Sequence, residues 1–296
     1  PMLDVALIAC IAGTPADVVH AHNYEAAVAA LAARCLTGVP VVYSAHNTMG
    51  EELPTYFSSR LVSRLATQVG RVLDRSVPRR ADHALALTAR AASTLVDLGC
   101  EQVSCIAPGV DPAELEHVTP FTSEGGPWVV YAGNPDNYQD LDVLVDAMRQ
   151  IPEAGLLLVS ASDLSHWQSV GLERIHCEVT TDFERVKSLV AGAAVAALPR
   201  AVCSGYPIKL LNYLGLGVPT VAAAGSAQGL PGVISVPNRD PTAMARAIRT
   251  LLTDDAERQA MGHRAREYIR ESCTWRARAH ELEGVYARVL KGLMTP

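Results

Sequence analysis

Two groups of polar side chains in this 296-residue chain have the types and spacing of a reactive site. The first is His20, His22 and His46, in the segments Val-Val-His-Ala-His-Asn and Tyr-Ser-Ala-His-Asn. Alternate residues of a strand share a face, so His20 and His22 point the same way. A His-x-His pair with a third histidine is a set that can hold zinc. No carboxylate or further ligand stands at motif spacing, so no metal site is expected, and histidines satisfied within a sheet are the simpler reading. His46 falls just beyond its strand, where ligand crevices open in parallel sheets, and is the functional candidate of the three.

The second group is Pro199-Arg-Ala-Val-Cys-Ser-Gly-Tyr-Pro-Ile-Lys-Leu-Leu-Asn-Tyr213. Ser204-Gly205 can cap a helix that has Pro207 in its first turn. The free N–H groups of such a turn suit an anion. Arg200 precedes the turn and Lys209 follows it closely, where the helix dipole disfavours a cation. A bound phosphate reverses that penalty; an exposed lysine on a surface helix is the plain alternative.

The elements that must position these residues are short apolar runs alternating with stretches of helical period. Strands are expected at Asp17–Ala21, Pro40–Ser44, Ala84–Leu87, Val103–Ile106, Trp128–Ala132, Leu156–Ser160, Ile175–Val179, Val195–Leu198 and Thr220–Ala223. They are β-branched or leucine-rich without strict alternation, as in strands buried on both faces. Helices between them make the pattern βαβα and the sheets parallel, with ligands at the carboxyl ends of the strands. Residues 111–127 hold two adjacent glycines and little periodicity, and read as a linker. The expected domains are therefore 1–110, 128–274, and a final helix over 275–296 that crosses back to the first. Residues 3–12 look helical and precede the first strand, which leaves the first domain with four strands against five in the second.

Composition excludes several classes. With 49% hydrophobic and 19% charged residues the chain is too apolar for disorder. The best apolar run, Leu189–Leu198, falls short of the ~18 residues a membrane span needs. A net charge of −6 argues against nucleic acid as a partner. Seven scattered cysteines without a Cys-x-x-Cys pair, and no signal-peptide pattern at Pro1, fit buried thiols in the cytoplasm. Asp140-Leu-Asp142 has the form of a metal-binding pair but falls at a helix start, where acidic residues are favoured by the dipole alone. Gly225-Ser-Ala-Gln-Gly229 offers either backbone donors to a ligand or a flexible connection. On a helix over residues 58–81, Arg60, Arg64, Arg71 and Arg75 form one stripe and Leu61, Leu65, Val69 and Val72 its neighbour; the segment carries a net charge of +5. A solvated outer face is the bland reading, and peripheral contact with an anionic membrane or a phosphorylated acceptor the sharper one.

Several of these pieces, taken in order, resemble the GT-B glycosyltransferases of the large retaining family four (group 1). They are Asp17-Val-Val-His-Ala-His22, Gly38-Val-Pro-Val-Val-Tyr-Ser-Ala-His46, Ala81-Asp-His-Ala-Leu-Ala-Leu-Thr88, Ile106-Ala-Pro-Gly-Val-Asp111, Tyr131-Ala-Gly133, the Ser204–Pro219 segment and a closing helix over Trp275 to Tyr286. The resemblance implies two Rossmann-like, doubly wound parallel-sheet domains. It also implies that the chain is shortened at its amino terminus, since family members begin with further strands and a glycine-rich loop. It implies transfer of a hexose from a nucleoside diphosphate sugar, with retained configuration, to a glycan, lipid-linked or small-molecule acceptor. The nucleotide sugar is then a co-substrate, and no cofactor or metal is needed. Carried over by position, the donor site takes Gly133, Asn134, Gln139, Arg200, Ser204, Gly205, Tyr206 and Asn212, with His46 and Lys209 as the catalytic pair. Four of these depart from the family's pattern: Ser204 and Asn212 stand where it has glutamates, and Asn134 and Gln139 where it has an arginine and a lysine. A relative that binds a nucleotide or a partner without turnover is the alternative.

Overall fold

The computed structural model describes residues 2–122, 125–203 and 205–294. The chain divides into two compact units, one of residues 1–108, 204–206 and 276–296, the other of 109–203 and 207–275.

The first unit runs α1 (Met2–Gly13), β1 (Val19–His22), α2 (Asn23–Thr37), β2 (Val41–Ala45), α3 (Met49–Glu52), α4 (Arg60–Ser76), β3 (His83–Ala86), α5 (Ala89–Asp97) and β4 (Val103–Cys105). Its four strands are parallel in the order β1-β2-β3-β4. β2 is buried at every residue, and its alternating side chains serve two cores. Val41, Tyr43 and Ala45 face a cluster with Ala27 and Ala30 of α2 and Leu95 of α5. Val42 faces the other way, with Leu85, onto Val285 and Val289 of the last helix, Trp275–Met294. Burying each of those two valines contributes about 1.5–3 kcal/mol at most. Alanines at positions 27, 29, 30 and 33 line the buried side of α2, and their small volume lets the helix lie close to the sheet.

The second unit contains β5 (Trp128–Ala132), α6 (Leu141–Met148), β6 (Gly155–Ser160), α7 (Ser165–Gln168), β7 (Ile175–Val179), α8 (Phe183–Ala191), β8 (Val195–Leu198), α9 (Ile208–Gly215), β9 (Thr220–Ala223), β10 (Val233–Val236), α10 (Pro241–Thr253) and α11 (Asp255–Ser272); the last helix is α12. All strands are parallel, in the order β10-β9-β8-β5-β6-β7. Six strands replace the five expected. The sixth, β10, is a half-exposed edge strand of four residues whose weak apolar pattern hides it in the sequence. Chain direction through the sheet reverses at β5, so a crevice opens at its carboxyl end. Residues 111–127 are not a free connection. Phe121 N donates to Ser188 O at 2.9 Å, and Ser188 Oγ donates to Thr119 O at 2.8 Å, so residues 119–121 lie along α8.

Helix α4 is held by a narrow face. Only Ala66, Gly70 and Asp74 are buried, at one-turn spacing. Gly70 admits the backbone of Met49, whose carbonyl a Cβ would overlap. Asp74 accepts from Met49 N at 2.7 Å and Gly50 N at 2.8 Å, at the start of α3. The arginine stripe is exposed, as either reading of it expected. The apolar stripe is exposed as well, with Leu61 78%, Leu65 66% and Val72 65% accessible. Among the described residues, no helix is long and apolar enough to cross a membrane.

Candidate functional site

The carboxyl edge of the second sheet carries a cavity of about 320 Å³ between the ends of β5, β6 and β7 and helices α8 and α9. Its polar wall includes Lys209 and Asn212, three residues apart and so on one face of α9. Lys209 Nζ donates to Tyr131 Oη at 2.9 Å and lies 4.3 Å from the centre of that ring. Tyr131 Oη passes its own proton to the Asn134 carbonyl at 2.9 Å. The phenol is fixed because Tyr131 is buried on β5, and α9 is pinned to the same strand by Tyr213. The Tyr213 hydroxyl accepts from Ala132 N at 2.7 Å and donates to Ala132 O at 3.0 Å.

Gly133 is what lets the lysine lie there. Its φ is +150°, and a Cβ on it would overlap the Lys209 ammonium. Lys209 is half-buried and has no carboxylate partner among the described residues. Burial, and secondarily the Arg200 guanidinium, push its pKa down to about 8. An ammonium so desolvated gains strongly from an anion in the cavity.

The other expected site residues fall in several places. Asn134 is exposed at the rim, where its Oδ1 accepts from Ser162 Oγ at 3.3 Å. Gln139 does not line the cavity; it is buried in the turn before α6, whose other residues, Asn137 and Tyr138, are exposed. Arg200 stands outside the cavity wall, stacked 4.8 Å over Tyr138, with Nε donating to Val202 O at 2.6 Å. Ser204 lies outside the described residues. Gly205 and Tyr206 group with the first unit, where a Cβ on Gly205 would overlap the Asn47 side chain. Helix α9 begins at Ile208 with Pro207 as its N-cap and no side-chain cap, so Pro207 precedes the first turn. Asp140 is a structural anchor: its carboxylate accepts from Ala201 N at 2.8 Å. The Gly225 loop is tied down, with Gly225 N donating to Asn238 Oδ1 at 2.9 Å. Sequence reasoning missed Thr180 and Thr181, which line the cavity directly after β7. Their place after an expected strand was the available signal.

In the first unit the three histidines do meet. His20 is satisfied at both nitrogens, 2.8 Å from Tyr286 Oη and 2.8 Å from Ser44 Oγ. Burial, then His22 and His46, hold it neutral with a pKa of about 4. His22 Nδ1 and His46 Nε2 share a hydrogen bond of 3.0 Å. Burial and His22 lower the pKa of His46 as well. Among the described residues no group of three or more His, Cys, Asp or Glu could hold a metal.

Comparison with known proteins gives this architecture its kin. The family model "Glycosyl transferase 4-like domain" matches residues 4–109, and "Glycosyl transferases group 1" matches residues 126–254. The chain belongs to the group 1 glycosyltransferases. D-inositol 3-phosphate glycosyltransferase of Corynebacterium diphtheriae is 26% identical, over 91% of this chain and 70% of that one. Glycogen synthase of Mycobacterium tuberculosis is 22% identical, over 95% and 70%. Among solved structures, sucrose-phosphate synthase of Thermosynechococcus elongatus superposes with a TM-score of 0.82 at 20% identity, covering 99% of this chain and 78% of that one. HepE of Anabaena, solved in complex with UDP, gives 0.77 at 16% identity, over 97% and 82%. The fold is thus the GT-B class that the sequence resemblance implied.

Proposed function

We propose that this glycosyltransferase moves a hexose from a nucleoside diphosphate sugar to an acceptor hydroxyl, with retention of anomeric configuration. One observation carries the reading: a half-buried ammonium, Lys209, is held over a glycine at the switch point of a parallel sheet without a carboxylate partner among the described residues. In the reaction the bond from the sugar's anomeric carbon to the diphosphate breaks and one to the acceptor oxygen forms. The acceptor's proton leaves with the diphosphate. Negative charge grows on the departing oxygen, and a fixed ammonium there favours the transition state over the ground state. Asn212 is assigned to donor hydroxyls. His46, whose pKa burial and His22 lower, is assigned to a sugar hydroxyl.

Titration calorimetry with UDP, GDP and ADP tests this. Losing one charge-assisted hydrogen bond costs about 1.5–3 kcal/mol, or roughly 10- to 150-fold in affinity. Lys209→Met is expected to weaken nucleotide binding by at least tenfold while the Tm holds or rises, since a desolvated charge is removed. Equal affinity in both proteins removes Lys209 from the site. UDP binding without release of UDP from UDP-sugars favours the non-catalytic alternative.

The same proposal extends to where the enzyme works. We infer that α4 lands on an anionic bilayer. Its exposed leucine and valine stripe lies beside Arg60, Arg64, Arg71 and Arg75, and Arg75 continues with Arg79 and Arg80 around an open basic hollow. Apolar side chains that enter the interface next to cations that meet lipid phosphates are the two components of such binding. Co-sedimentation with phosphatidylglycerol vesicles is expected, with loss in Leu61→Asp/Leu65→Asp and at high salt. No preference over phosphatidylcholine, or a concentration-dependent dimer abolished by the same substitutions, overturns it.

A further inference from the structure

A second cavity, of about 430 Å³, opens in the second unit where the ends of α8, α9 and α11 meet residues 112–120. Arg266 and Arg270 stand one turn apart on α11 and both line it, with His117 on the facing segment. Arg266 Nη2 donates to the carbonyl of Leu216, the C-cap of α9, at 2.5 Å, and no carboxylate among the described residues pairs with that guanidinium. Arg270 is more than half exposed. Its ion pair among the described residues is with the equally exposed Glu271 at 3.9 Å, a contact too long and too wet to neutralise it. Glu116 borders the cavity and pairs with neither arginine among the described residues. Two glycines make room for this wall. A Cβ on Gly215 would overlap the Leu115 side chain, and one on Gly217, whose φ is +77°, would crowd the Arg266 guanidinium at 3.1 Å. Leu115, Val118 and Ile269 give the cavity an apolar side.

We propose that this cavity binds a small phosphate monoester with an apolar body, at a site separate from the one around Lys209. Two guanidinium forks one turn apart suit a group with three acceptor oxygens and roughly two negative charges. The His117 ring adds a donor from whichever nitrogen carries the proton. A carboxylate brings less charge and one oxygen fewer, so it engages a single fork, and the Glu116 carboxylate on the same wall opposes it. The apolar side favours a carbon body over a bare inorganic ion. Among the described residues the two cavities of this unit share Leu216 and no other lining residue, so a ligand in one leaves the other open.

Saturation-transfer NMR titrations of the whole chain would use phenyl phosphate, with methyl phosphate, benzoate and phenol as probes that lack in turn the body, the second charge and all charge. Phenyl phosphate is expected to bind about tenfold more tightly than methyl phosphate or benzoate, and phenol to show no binding. Arg266→Met and Arg270→Met are each expected to weaken phenyl phosphate binding by about tenfold or more, and Arg270→Lys to recover part of the loss. Arg270 is exposed, so its variants are expected to keep the Tm and to decide the matter even if Arg266→Met, which removes the bond to Leu216 O, unfolds the chain. Lys209→Met is expected to bind phenyl phosphate as the wild type does. No binding, no gain over methyl phosphate, tighter binding of benzoate or phenol, affinity unmoved in Arg270→Met, or loss in Lys209→Met overturns the proposal. The titration needs no nucleotide, so this site and the donor reading can each fail alone.

Discussion

Two cavities sit at the carboxyl edges of parallel sheets built alike, and they are charged oppositely. In the second unit the wall is organised around one desolvated ammonium, Lys209, propped on a tyrosine ring and admitted by a glycine. In the first unit a cavity of about 330 Å³ between the start of α2, the end of β2 and the short α3 is walled by the carboxylates of Glu25 and Glu52 and the phenols of Tyr24, Tyr43 and Tyr56, with no lysine or arginine among the lining residues. Strand ends supply the place in both cases. Helix starts supply the sign: α9 brings Lys209 to its second residue, and α2 and α3 bring Glu25 and Glu52. A parallel sheet therefore fixes where a ligand goes without fixing its charge. The first turns that follow the strands set the sign of the wall.

The sharpest way to break this contrast is Gly133→Ala. A Cβ there overlaps the end of the Lys209 side chain, which is flexible, so the ammonium moves rather than the backbone. Positive φ at an alanine costs about 1–3 kcal/mol. UDP affinity should fall by roughly 10- to 150-fold, as far as Lys209→Met takes it, because both remove the same charge-assisted contact. Calorimetry with UDP decides it: wild-type UDP affinity in Gly133→Ala means that Lys209 need not lie where it does.

How much of this was legible beforehand depended on whether a residue's role is local. The strands Trp128–Ala132, Ile175–Val179, Val195–Leu198 and Thr220–Ala223 were expected with these bounds, since long apolar runs between helical stretches leave little choice. Lys209 could be singled out because a cation at a helix start breaks a local rule. Its seat on Tyr131 could not, because the two residues are 78 positions apart and meet only through the sheet. Gln139 was assigned to the site by position alone, and packing turned it inward. The exposed apolar stripe of α4 was equally hidden. The pattern showed two stripes, but Gly70 and Asp74 chose a third face for docking.

A milder test uses pH rather than substitution. In the free protein, burial and Arg200 lower Lys209 from 10.5 to about 8. The ammonium is the form that attracts a diphosphate, so affinity should be level below pH 8 and fall above it. The slope approaches tenfold per pH unit, and the loss at pH 9 relative to pH 7 is about tenfold for one titrating group. The bound anion raises the lysine's pKa, so binding above pH 8 should take up a proton, visible as a buffer-dependent heat. Phosphate deprotonation, with a pKa of about 6, is complete before this window opens. In Lys209→Met the profile should be flat. A wild-type UDP affinity that holds constant from pH 7 to pH 9.5 would mean that the ammonium is not what the nucleotide meets.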